Sequence, residues 1–295
     1  MEISLRKEPK GRCFQLIKAA VLGSPIAHSL SPLLHTIAYA ELGLDSQYTR
    51  IEVGSGELEE FLTQCDESWT GFSLTMPLKE EVLNLTSNVS ELSQKIRSAN
   101  TLLRSESEWE ATTTDVSGIT HALASHGIDA SGDVLIIGAG ATARAAAAAC
   151  DGIATRITVM NRSLSRVEAI SNSVEISDLD FVDWNQTTLF EQVDLIISTT
   201  PEGASDSLIS SFPKNPSSVF FDVLYKPWPT ASLSAWKANG GQIIDGLDLL
   251  IHQGIDQVRI FSGISFDRAS MAELMRKHAL TALKASTWYF RGDFS

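Results

Sequence analysis

The feature that most constrains the fold is an apolar run that leads directly into two glycines and an alanine-rich stretch. Residues 133–149 read DVLIIGAGATARAAAAA. A short, continuously apolar strand is typical of a parallel sheet that has helices on both faces. Gly138, Gly140 and Ala143 give the spacing GxGxxA, which suits a tight turn, a close backbone approach to a pyrophosphate and close helix–strand packing. The run therefore predicts a dinucleotide-binding α/β unit, although small residues at such a turn can also serve packing alone.

The strand that follows favours one nicotinamide cofactor over the other. We predict it at residues 156–160, followed by Asn161, Arg162 and Ser163, with Arg166 one turn further on. An NAD site usually ends this strand with Asp or Glu, whose carboxylate accepts hydrogen bonds from the ribose hydroxyls. A carboxylate there would repel a 2′-phosphate, whereas a planar guanidinium can hold it with two parallel hydrogen bonds. Arg162 and Arg166 therefore favour NADP, with a solvated basic loop as the alternative.

The rest of the chain alternates predicted strands with predicted helices, which indicates parallel or mixed α/β sheets. At 295 residues the chain is too long for one ordinary core, and its composition changes near Asp115. Before that point we predict strands at 18–23, 48–53, 71–75, 101–104 and 109–114, and helices at 28–43, 57–64, 80–85 and 90–96. Beyond residue 156 we also predict strands at 195–199 and 219–224 and a helical stretch from 246 to about 283. Ser31 is the predicted N-cap of the helix over 28–43, with Pro32 in its first turn.

Composition limits the possible partners and compartments. The formal net charge of −13 argues against nucleic acid or an anionic membrane as a partner, and 43% apolar residues fit a globular protein. Cys13, Cys65 and Cys150 lie far apart without metal-ligand spacing, so we expect neither a disulfide framework nor a metal site. No apolar run has the length or the position of a membrane span or a signal peptide. We therefore expect a cytoplasmic protein.

Lys79 has two possible roles. The stretch 70–81 reads TGFSLTMPLKEE, in which a predicted strand ends at a proline turn and Lys79 precedes two glutamates. The lysine is either a solvated charge at the start of an acidic helix or a cation aimed into a cleft. His28 and His35 lack carboxylate partners at ligand spacing, and we interpret both as polar or packing residues. No GxSxG elbow or recognisable Cys/His pair indicates a hydrolase.

Other polar residues stand where predicted strands end or predicted helices begin. Ser29 and Ser31 lie just before a helix, so both hydroxyls can face one anion, with helix capping as the alternative for Ser31. Asn100 lies at the mouth of a strand. Asp115 lies at a strand end where the composition changes, so it either faces a cleft or caps the following helix.

Together these segments resemble the shikimate dehydrogenases and their quinate/shikimate relatives. The resemblance runs from about residue 19 to 263 and rests, in matching order and spacing, on LGSPIAHSLSPLLH, TGFSLTMPLKE, SANTLL, TTTDVSG, IGAGATARA, NRSLSR, FDVLYKPWPT and DGLDLLIHQ. It implies a discontinuous α/β substrate-binding domain, here 1–115 and 247–295, packed on a Rossmann-like NADP-binding domain, here 116–246. The active site is expected in the cleft between them. The implied reaction is the reversible, NADPH-dependent reduction of 3-dehydroshikimate to shikimate in aromatic amino-acid biosynthesis.

The resemblance also implies roles for individual residues. Lys79 and Asp115 are the implied catalytic pair, because an ammonium can stabilise the charge that forms on a reduced ketone oxygen and donate a proton to it. The residues implied at the substrate carboxylate are Ser29 and Ser31, with Thr75 and Tyr225 nearby. The residues implied at the ring hydroxyls are Asn100, Asp115 and Gln253. The residues implied at NADP are Gly138, Ala139, Gly140, Ala141, Thr142, Asn161, Arg162, Ser163 and Arg166, with Val223 and Gly246 beside the nicotinamide.

The chain departs from the usual residues of this family at four positions. Ser73 and Thr113 stand where the family usually has Asn, Asp248 replaces a common glycine, and His252 replaces a small residue. Ser73 and Thr113 can affect how neighbouring site residues align, so substrate preference stays open. The alternatives are a dehydrogenase that prefers quinate or uses NAD, and a non-catalytic NADP-binding regulatory homologue. Both a monomer and a homodimer are compatible with the sequence.

Overall fold

The structure is a computed structural model that describes residues 16–106, 108–162 and 166–289. Within them the chain divides into two compact units. The first unit comprises the described residues of Met1–Ser93, Ala99–Thr114 and Gly254–Ser295, and the second comprises those of Gln94–Ser98 and Asp115–Gln253. Each unit contains its own sheet with flanking helices, so the predicted α/β class is confirmed. The assignment of 1–115 with 247–295 to substrate and of 116–246 to NADP stays a prediction.

The described elements follow one another in this order along the chain. The strands are β1 (Ile17–Gly23), β2 (Ser46–Glu52), β3 (Gly71–Leu74), β4 (Asn88–Val89), β5 (Thr101–Ser105), β6 (Glu108–Thr112), β7 (Asp133–Ile137), β8 (Arg156–Asn161), β9 (Asp178–Asp183), β10 (Leu195–Ser198), β11 (Val219–Asp222) and β12 (Gln242–Ile244). The helices are α1 (Ser31–Glu41), α2 (Leu58–Thr63), α3 (Leu78–Glu81), α4 (Glu91–Ile96), α5 (Asp115–Ser125), α6 (Ala141–Cys150), α7 (Val167–Ser171), α8 (Ala231–Ala238), α9 (Gly246–Ser262) and α10 (Arg268–Tyr289).

The sheet of the first unit is mixed, with the order β2-β1-β3-β5-β6-β4. β1 runs parallel to β2 and β3, whereas β5 runs antiparallel to β3 and β6. Parallel neighbours end at the same edge, so the loops that follow β1 and β3 emerge side by side. A core cluster on this sheet is formed by buried residues that include Leu22, Leu58, Phe72, Leu78 and Leu102. That core fixes the two loops that carry the predicted substrate residues.

The sheet of the second unit is entirely parallel, with the order β12-β11-β10-β7-β8-β9. Counted from β7 this is the order 6-5-4-1-2-3 of a doubly wound dinucleotide fold, in which the winding direction reverses between β7 and β10. Both faces are covered: Val134 and Ile136 pack in one buried cluster, and Leu135 and Ile137 pack in another. The continuously apolar run of β7 is therefore a strand that is buried on both faces.

Two local predictions were wrong in detail. The N-cap of α1 is Leu30, not Ser31, because Leu30 already has helical dihedrals (φ −86°, ψ −6°) and Ser31 is the first residue of the helix. No side chain caps this helix; the hydroxyl oxygen of Ser29 instead accepts the backbone N–H of Ser31 at 3.2 Å. The helical stretch predicted from 246 to 283 is two helices, because α9 ends at Ser262 and α10 begins at Arg268.

Candidate active site

The turn between β7 and α6 is shaped for close backbone contact. Gly138 has a φ of +112°, and a Cβ atom there would lie 2.6 Å from Thr199 Oγ1, so only glycine fits. Gly140 is the N-cap of α6 and has an extended conformation, which directs the first N–H groups of the helix past the turn. Because β7 and β10 flank the reversal point of the sheet, this turn lies where doubly wound folds bind their ligands.

Helix α6 packs tightly behind that turn. Ala139 and Ala143 are buried, and Ala141 and Thr142 form the half-buried first turn. Arg144 is also buried: its Nε donates to the carbonyl of Ile96 at 2.6 Å and its Nη2 donates to the carbonyl of Arg97 at 3.0 Å. Arg144 is not among the predicted site residues, although a lone arginine within an alanine run is a usable signal. This arginine ties the start of α6 to the C-terminal end of α4.

The end of β8 carries the two arginines predicted to select the cofactor. Both are exposed, and Asn161 Oδ1 accepts the backbone N–H of Arg162 at 2.9 Å. The Arg162 guanidinium lies over the ring of Trp184 and donates to the carbonyl of Ala204. Arg166 Nη1 lies 3.8 Å from the position that a Cβ atom of Gly140 would occupy. The structure therefore brings Arg166 to the glycine turn, while Ser163 lies outside the described residues.

The end of β11 meets the start of α9. A Cβ atom on Gly246 would lie 2.4 Å from the carbonyl oxygen of Val223, so glycine is required for this contact and the two residues predicted beside the nicotinamide are neighbours. Tyr225 follows and is half-buried. The Asp222 carboxylate accepts from the Thr230 hydroxyl at 2.7 Å and from the Leu224 N–H at 3.1 Å. Burial nevertheless raises the pKa of Asp222 to about 6.

In the first unit, Ser29 lies in the loop that follows β1, and Ser31 is the first residue of α1. Both are buried, and the carbonyl of Ser29 accepts from Arg50 Nε at 2.8 Å. This contact anchors the loop to β2. His35, one helical turn after Ser31, is buried and its Nδ1–H donates to the Ser31 carbonyl at 2.9 Å. Burial lowers the pKa of His35 to about 4, so its ring is neutral and packs against Tyr48, in agreement with our interpretation of His35 as a packing residue.

Thr75 and Lys79 lie at the end of β3, beside the loop that follows β1. The backbone N–H of Thr75 donates to the Leu22 carbonyl at 2.9 Å, and a Cβ atom on Gly23 would lie 2.4 Å from Thr75 Cγ2. Lys79 is half-buried within α3, and its carbonyl accepts the N–H of Ala99 at 2.9 Å. The backbone of Lys79 is thus tied to the segment that carries Asn100.

Asn100 is held by the chain just before Asp115. Its Nδ2 donates to Thr114 Oγ1 at 2.9 Å, and its Oδ1 accepts the backbone N–H of Thr114 at 2.8 Å. Asn100 is 1% exposed. A two-point contact of this kind fixes the plane of the amide group. The first unit therefore brings Ser29, Ser31, Thr75, Lys79 and Asn100 to one edge of its sheet.

Asp115 and Gln253 belong to neighbouring helices of the second unit. Asp115 opens α5, and Gln253 lies on α9; both side chains are buried. A Cβ atom on Gly118 would lie 2.8 Å from the Cβ of Gln253, so glycine permits the close approach of these helices. Gln253 Nε2 donates to the carbonyl of Leu250 at 2.9 Å.

The two unusual residues of α9 lie against α5 and the residue that follows it. Asp248 Oδ2 lies within hydrogen-bond distance, 2.8 Å, of His126 Nε2, and the ring centroid of His252 lies 6.1 Å from that of His121. These contacts give Asp248 and His252 a packing partner within the second unit. Across the described ranges, no set of three or more His, Cys, Asp or Glu side chains is arranged to hold a metal ion. No helix in the described part of the chain is long and apolar enough to cross a bilayer.

Comparisons with protein-family models and with known proteins point to the same family. The protein-family model described as "Shikimate dehydrogenase substrate binding domain" matches residues 21–102. A second family model, described as "Shikimate / quinate 5-dehydrogenase", matches residues 122–211. The chain is 31% identical over 250 residues to the shikimate dehydrogenase (NADP(+)) of Ignicoccus hospitalis, covering 83% of this chain and 93% of the relative.

Solved structures agree with this match. The shikimate 5-dehydrogenase of Thermus thermophilus, in complex with NADP(H) and shikimate, superposes with a TM-score of 0.78 at 31% identity, covering 89% of this chain and 99% of that one. The quinate dehydrogenase of Corynebacterium glutamicum, in complex with NAD, superposes with a TM-score of 0.77 at 26% identity, covering 88% and 99%. Both similarities extend over the two units.

Proposed function

Since this chain belongs to the shikimate dehydrogenase family, we propose that it is an NADP-dependent oxidoreductase that interconverts 3-dehydroshikimate and shikimate. In the reducing direction, 3-dehydroshikimate, NADPH and a proton give shikimate and NADP⁺. This reaction belongs to the shikimate pathway of aromatic amino-acid biosynthesis. The observation that carries the choice of cofactor is the pair Arg162 and Arg166 at the end of β8, where an NAD enzyme usually has a carboxylate.

The residues of the second unit fit NADP. Gly138 and Gly140 leave the turn open to a pyrophosphate, and the ten-residue helix α6 directs its N-terminal N–H groups toward it. Arg162 and Arg166, together with Asn161 and Ser163, would hold the adenosine 2′-phosphate. The Val223–Gly246 contact would form the wall beside the nicotinamide, together with Ala139, Ala141 and Thr142 nearer the phosphates. NADPH, when bound, supplies the hydride.

The chain's own residues would then bind the substrate and transfer the proton. Ser29 and Ser31, with Thr75 and Tyr225, would bind the substrate carboxylate through hydroxyl groups. Asn100 and Gln253 would orient the ring hydroxyls, with Asp115. These groups leave the ammonium of Lys79 for the reacting oxygen rather than for the carboxylate.

Lys79 and Asp115 are the proposed catalytic pair. When hydride reaches the ketone carbon, negative charge develops on the oxygen, and the Lys79 ammonium would stabilise that charge and donate its proton. In the reverse direction the neutral amine would take the proton from the hydroxyl. Asp115 would orient both the lysine and the hydroxyl that reacts.

A two-by-two assay tests the proposal. Purified protein is mixed with shikimate or quinate and with NADP⁺ or NAD⁺, and initial rates are followed by the absorbance of the reduced cofactor. We expect the highest kcat/KM for shikimate with NADP⁺. A higher kcat/KM for quinate with NAD⁺ would refute the proposal and favour a quinate dehydrogenase that uses NAD.

That second candidate, a quinate dehydrogenase that uses NAD, is favoured by one observation: the C. glutamicum quinate dehydrogenase has nearly the same fold similarity as the shikimate enzymes. Arg162 argues against NAD use, whereas the proposed hydroxyl-binding residues do not separate shikimate from quinate. A non-catalytic homologue is less well supported, because a binding protein has no evident need for both Lys79 and Asp115.

We also propose that the enzyme works in the cytoplasm, as a monomer or a homodimer. Cys65 and Cys150 are both free thiols, as a reducing compartment favours. Light scattering during size exclusion would distinguish the two assembly states. Localisation of the tagged protein outside the cytoplasm would contradict the first part.

A further inference from the structure

A buried chain of hydrogen bonds in the first unit leads from Tyr48 on β2 to Asn100. The Tyr48 hydroxyl donates to Ser73 Oγ at 2.6 Å, and the Ser73 hydroxyl donates to Gln257 Oε1 at 2.8 Å. Gln257 Nε2 donates to Thr101 Oγ1 at 3.0 Å, and the Thr101 hydroxyl donates to Asn100 Oδ1 at 2.9 Å. All five side chains are buried. We call this series the Tyr48–Asn100 relay.

Two backbone groups fix the direction of the hydrogen bonds in the relay. The carbonyl of Asn100 can only accept, and it accepts from Gln257 Nε2 at 3.0 Å, so the amide oxygen of Gln257 must face Ser73. The backbone N–H of Thr114 can only donate, and it donates to Asn100 Oδ1 at 2.8 Å. The Thr101 hydroxyl must therefore donate to Asn100 and accept from Gln257. Turning the Gln257 amide by 180° would place its oxygen against the Asn100 carbonyl, and turning the Asn100 amide would place its NH₂ group against the Thr114 N–H.

The sheet explains why these side chains meet. Ser73 on β3 and Thr101 on β5 are directly opposed in the antiparallel pair, so their side chains project from the same face. Gln257 reaches this cross-strand pair from α9 and contacts both hydroxyls. The close contact is possible because Gly71, two residues before Ser73, leaves room for Phe261 of the same helix.

The far end of the relay is rigid and stays protonated. The ring of Tyr48 stacks on the neutral ring of His35, with centroids 4.0 Å apart and planes 17° apart. Burial raises the pKa of Tyr48 well above its usual value, so its hydroxyl remains a donor. The relay therefore starts from a fixed donor and ends at a fixed amide.

We propose that Gln257, Thr101 and Ser73 are positioning residues that hold the Asn100 amide in the single orientation in which it recognises a substrate ring hydroxyl. The inference rests on the proposed function, in which Asn100 binds that hydroxyl. A rotated amide would present its oxygen where its nitrogen belongs, and a pre-oriented amide avoids the cost of ordering it at binding. The relay also accounts for Ser73, since one hydroxyl can accept from Tyr48 and donate to Gln257 at the same time.

Matched variants test the relay in the full-length enzyme. Thr101→Val removes the central hydroxyl at constant shape, Thr101→Ser retains it, and Gln257→Leu removes the bridging amide. Tyr39→Phe is the control, because Tyr39 is a fully buried tyrosine near His35 whose hydroxyl has no hydrogen-bond partner in the described part of the chain. Each variant is assayed for shikimate KM and kcat, and its affinity for adenosine 2′,5′-bisphosphate is measured as a check on folding.

We expect Thr101→Val and Gln257→Leu to lower kcat/KM for shikimate about tenfold, mostly through KM, as a loss of one well-placed hydrogen bond implies. Thr101→Ser and Tyr39→Phe should stay within about twofold of the parent, as should every affinity for the bisphosphate. The relay is refuted if Thr101→Val keeps the parental kcat/KM, or if Thr101→Ser is as impaired as Thr101→Val.

A measurement without substrate separates this inference from the proposed function. The side-chain NH₂ resonances of Asn100, identified by their loss in Asn100→Asp, should shift in Thr101→Val and hold their positions in Thr101→Ser. If they do so while the parent fails to oxidise shikimate, the proposed function is wrong and the relay stands. If they are unchanged in Thr101→Val, the relay is wrong whatever the enzyme oxidises.

Discussion

The guanidinium of Arg162 lies over the indole ring of Trp184, with Cζ 4.5 Å from the ring centroid. The same guanidinium donates to the carbonyl of Ala204, and Trp184 Nε1 in turn donates to Ser207 Oγ at 3.4 Å. An exposed arginine at a strand end would otherwise sample many rotamers. Trp184 therefore restrains the side chain of Arg162, the residue that we propose binds the 2′-phosphate that distinguishes NADP from NAD.

Trp184→Ala should weaken binding of adenosine 2′,5′-bisphosphate about two- to fivefold, because an exposed cation–π contact contributes about 0.5–1 kcal/mol. Trp184→Phe should keep most of the affinity, since a phenyl ring retains a weaker cation–π face. Isothermal titration calorimetry of the three proteins measures the effect.

AMP, which lacks the 2′-phosphate, is the matched ligand for this experiment, and its affinity should not change in Trp184→Ala. Arg162→Ala should cause the largest loss of affinity for the bisphosphate, about tenfold or more, because a charge-assisted hydrogen bond contributes about 1.5–3 kcal/mol. If Arg162→Ala weakens the bisphosphate while Trp184→Ala leaves it untouched, the indole does not position the arginine.

Lys79→Ala should lower kcat by about two to four orders of magnitude, the usual contribution of a positioned proton donor, while the Kd of shikimate changes only a few-fold. Lys18→Ala is the control, because it removes a positive charge from the same unit. Lys18 contacts Ser68 and the ring of Trp69 and is not among the proposed site residues. Stopped-flow reduction of NADP⁺ by shikimate measures the chemical step. A kcat within threefold of the parent in Lys79→Ala would remove the lysine from the proposed pair.

Sequence patterns predicted those parts of the fold that depend on local backbone geometry. Gly138 could be recognised because a left-handed turn between a strand and a helix requires glycine, and the all-parallel sheet followed from a continuously apolar strand. Trp184 and Gln257 could not be recognised. Their partners, Arg162 and Ser73, are respectively 22 and 184 residues away, and no periodicity or spacing encodes such contacts. Ser73 departs from the usual residue of the family, and the hydrogen bond to Gln257 that explains it is visible only in the folded chain.

His35 should make the stability of the protein fall as the pH is lowered. Burial lowers its pKa from 6.5 to about 4, so between these values the unfolded chain binds a proton that the folded protein does not. The stability difference between the parent and His35→Gln should therefore increase from pH 4 to 6.5, by up to about 3 kcal/mol, and level off above. Urea unfolding followed by circular dichroism at four pH values measures it; a difference that does not change with pH would show that the ring is solvated.

Asp222 should act in the opposite sense over nearly the same range. Burial first, and the nearby Asp206 carboxylate to a smaller extent, raise its pKa from 3.8 to about 6, although the hydrogen bonds from Thr230 and Leu224 oppose this. Between pH 3.8 and 6 the folded protein therefore holds a proton that the unfolded chain has lost, so stability decreases as the pH rises. The difference in unfolding free energy between the parent and Asp222→Asn should fall by up to about 3 kcal/mol across this range.

Because the contributions of His35 and Asp222 to stability have opposite slopes with pH, they offset each other in the parent. The unfolding free energies of the two single variants, measured in the same buffers, should depart from that of the parent in opposite directions as the pH changes. Two variants that diverge in the same direction would contradict the assigned protonation state of one of the two groups.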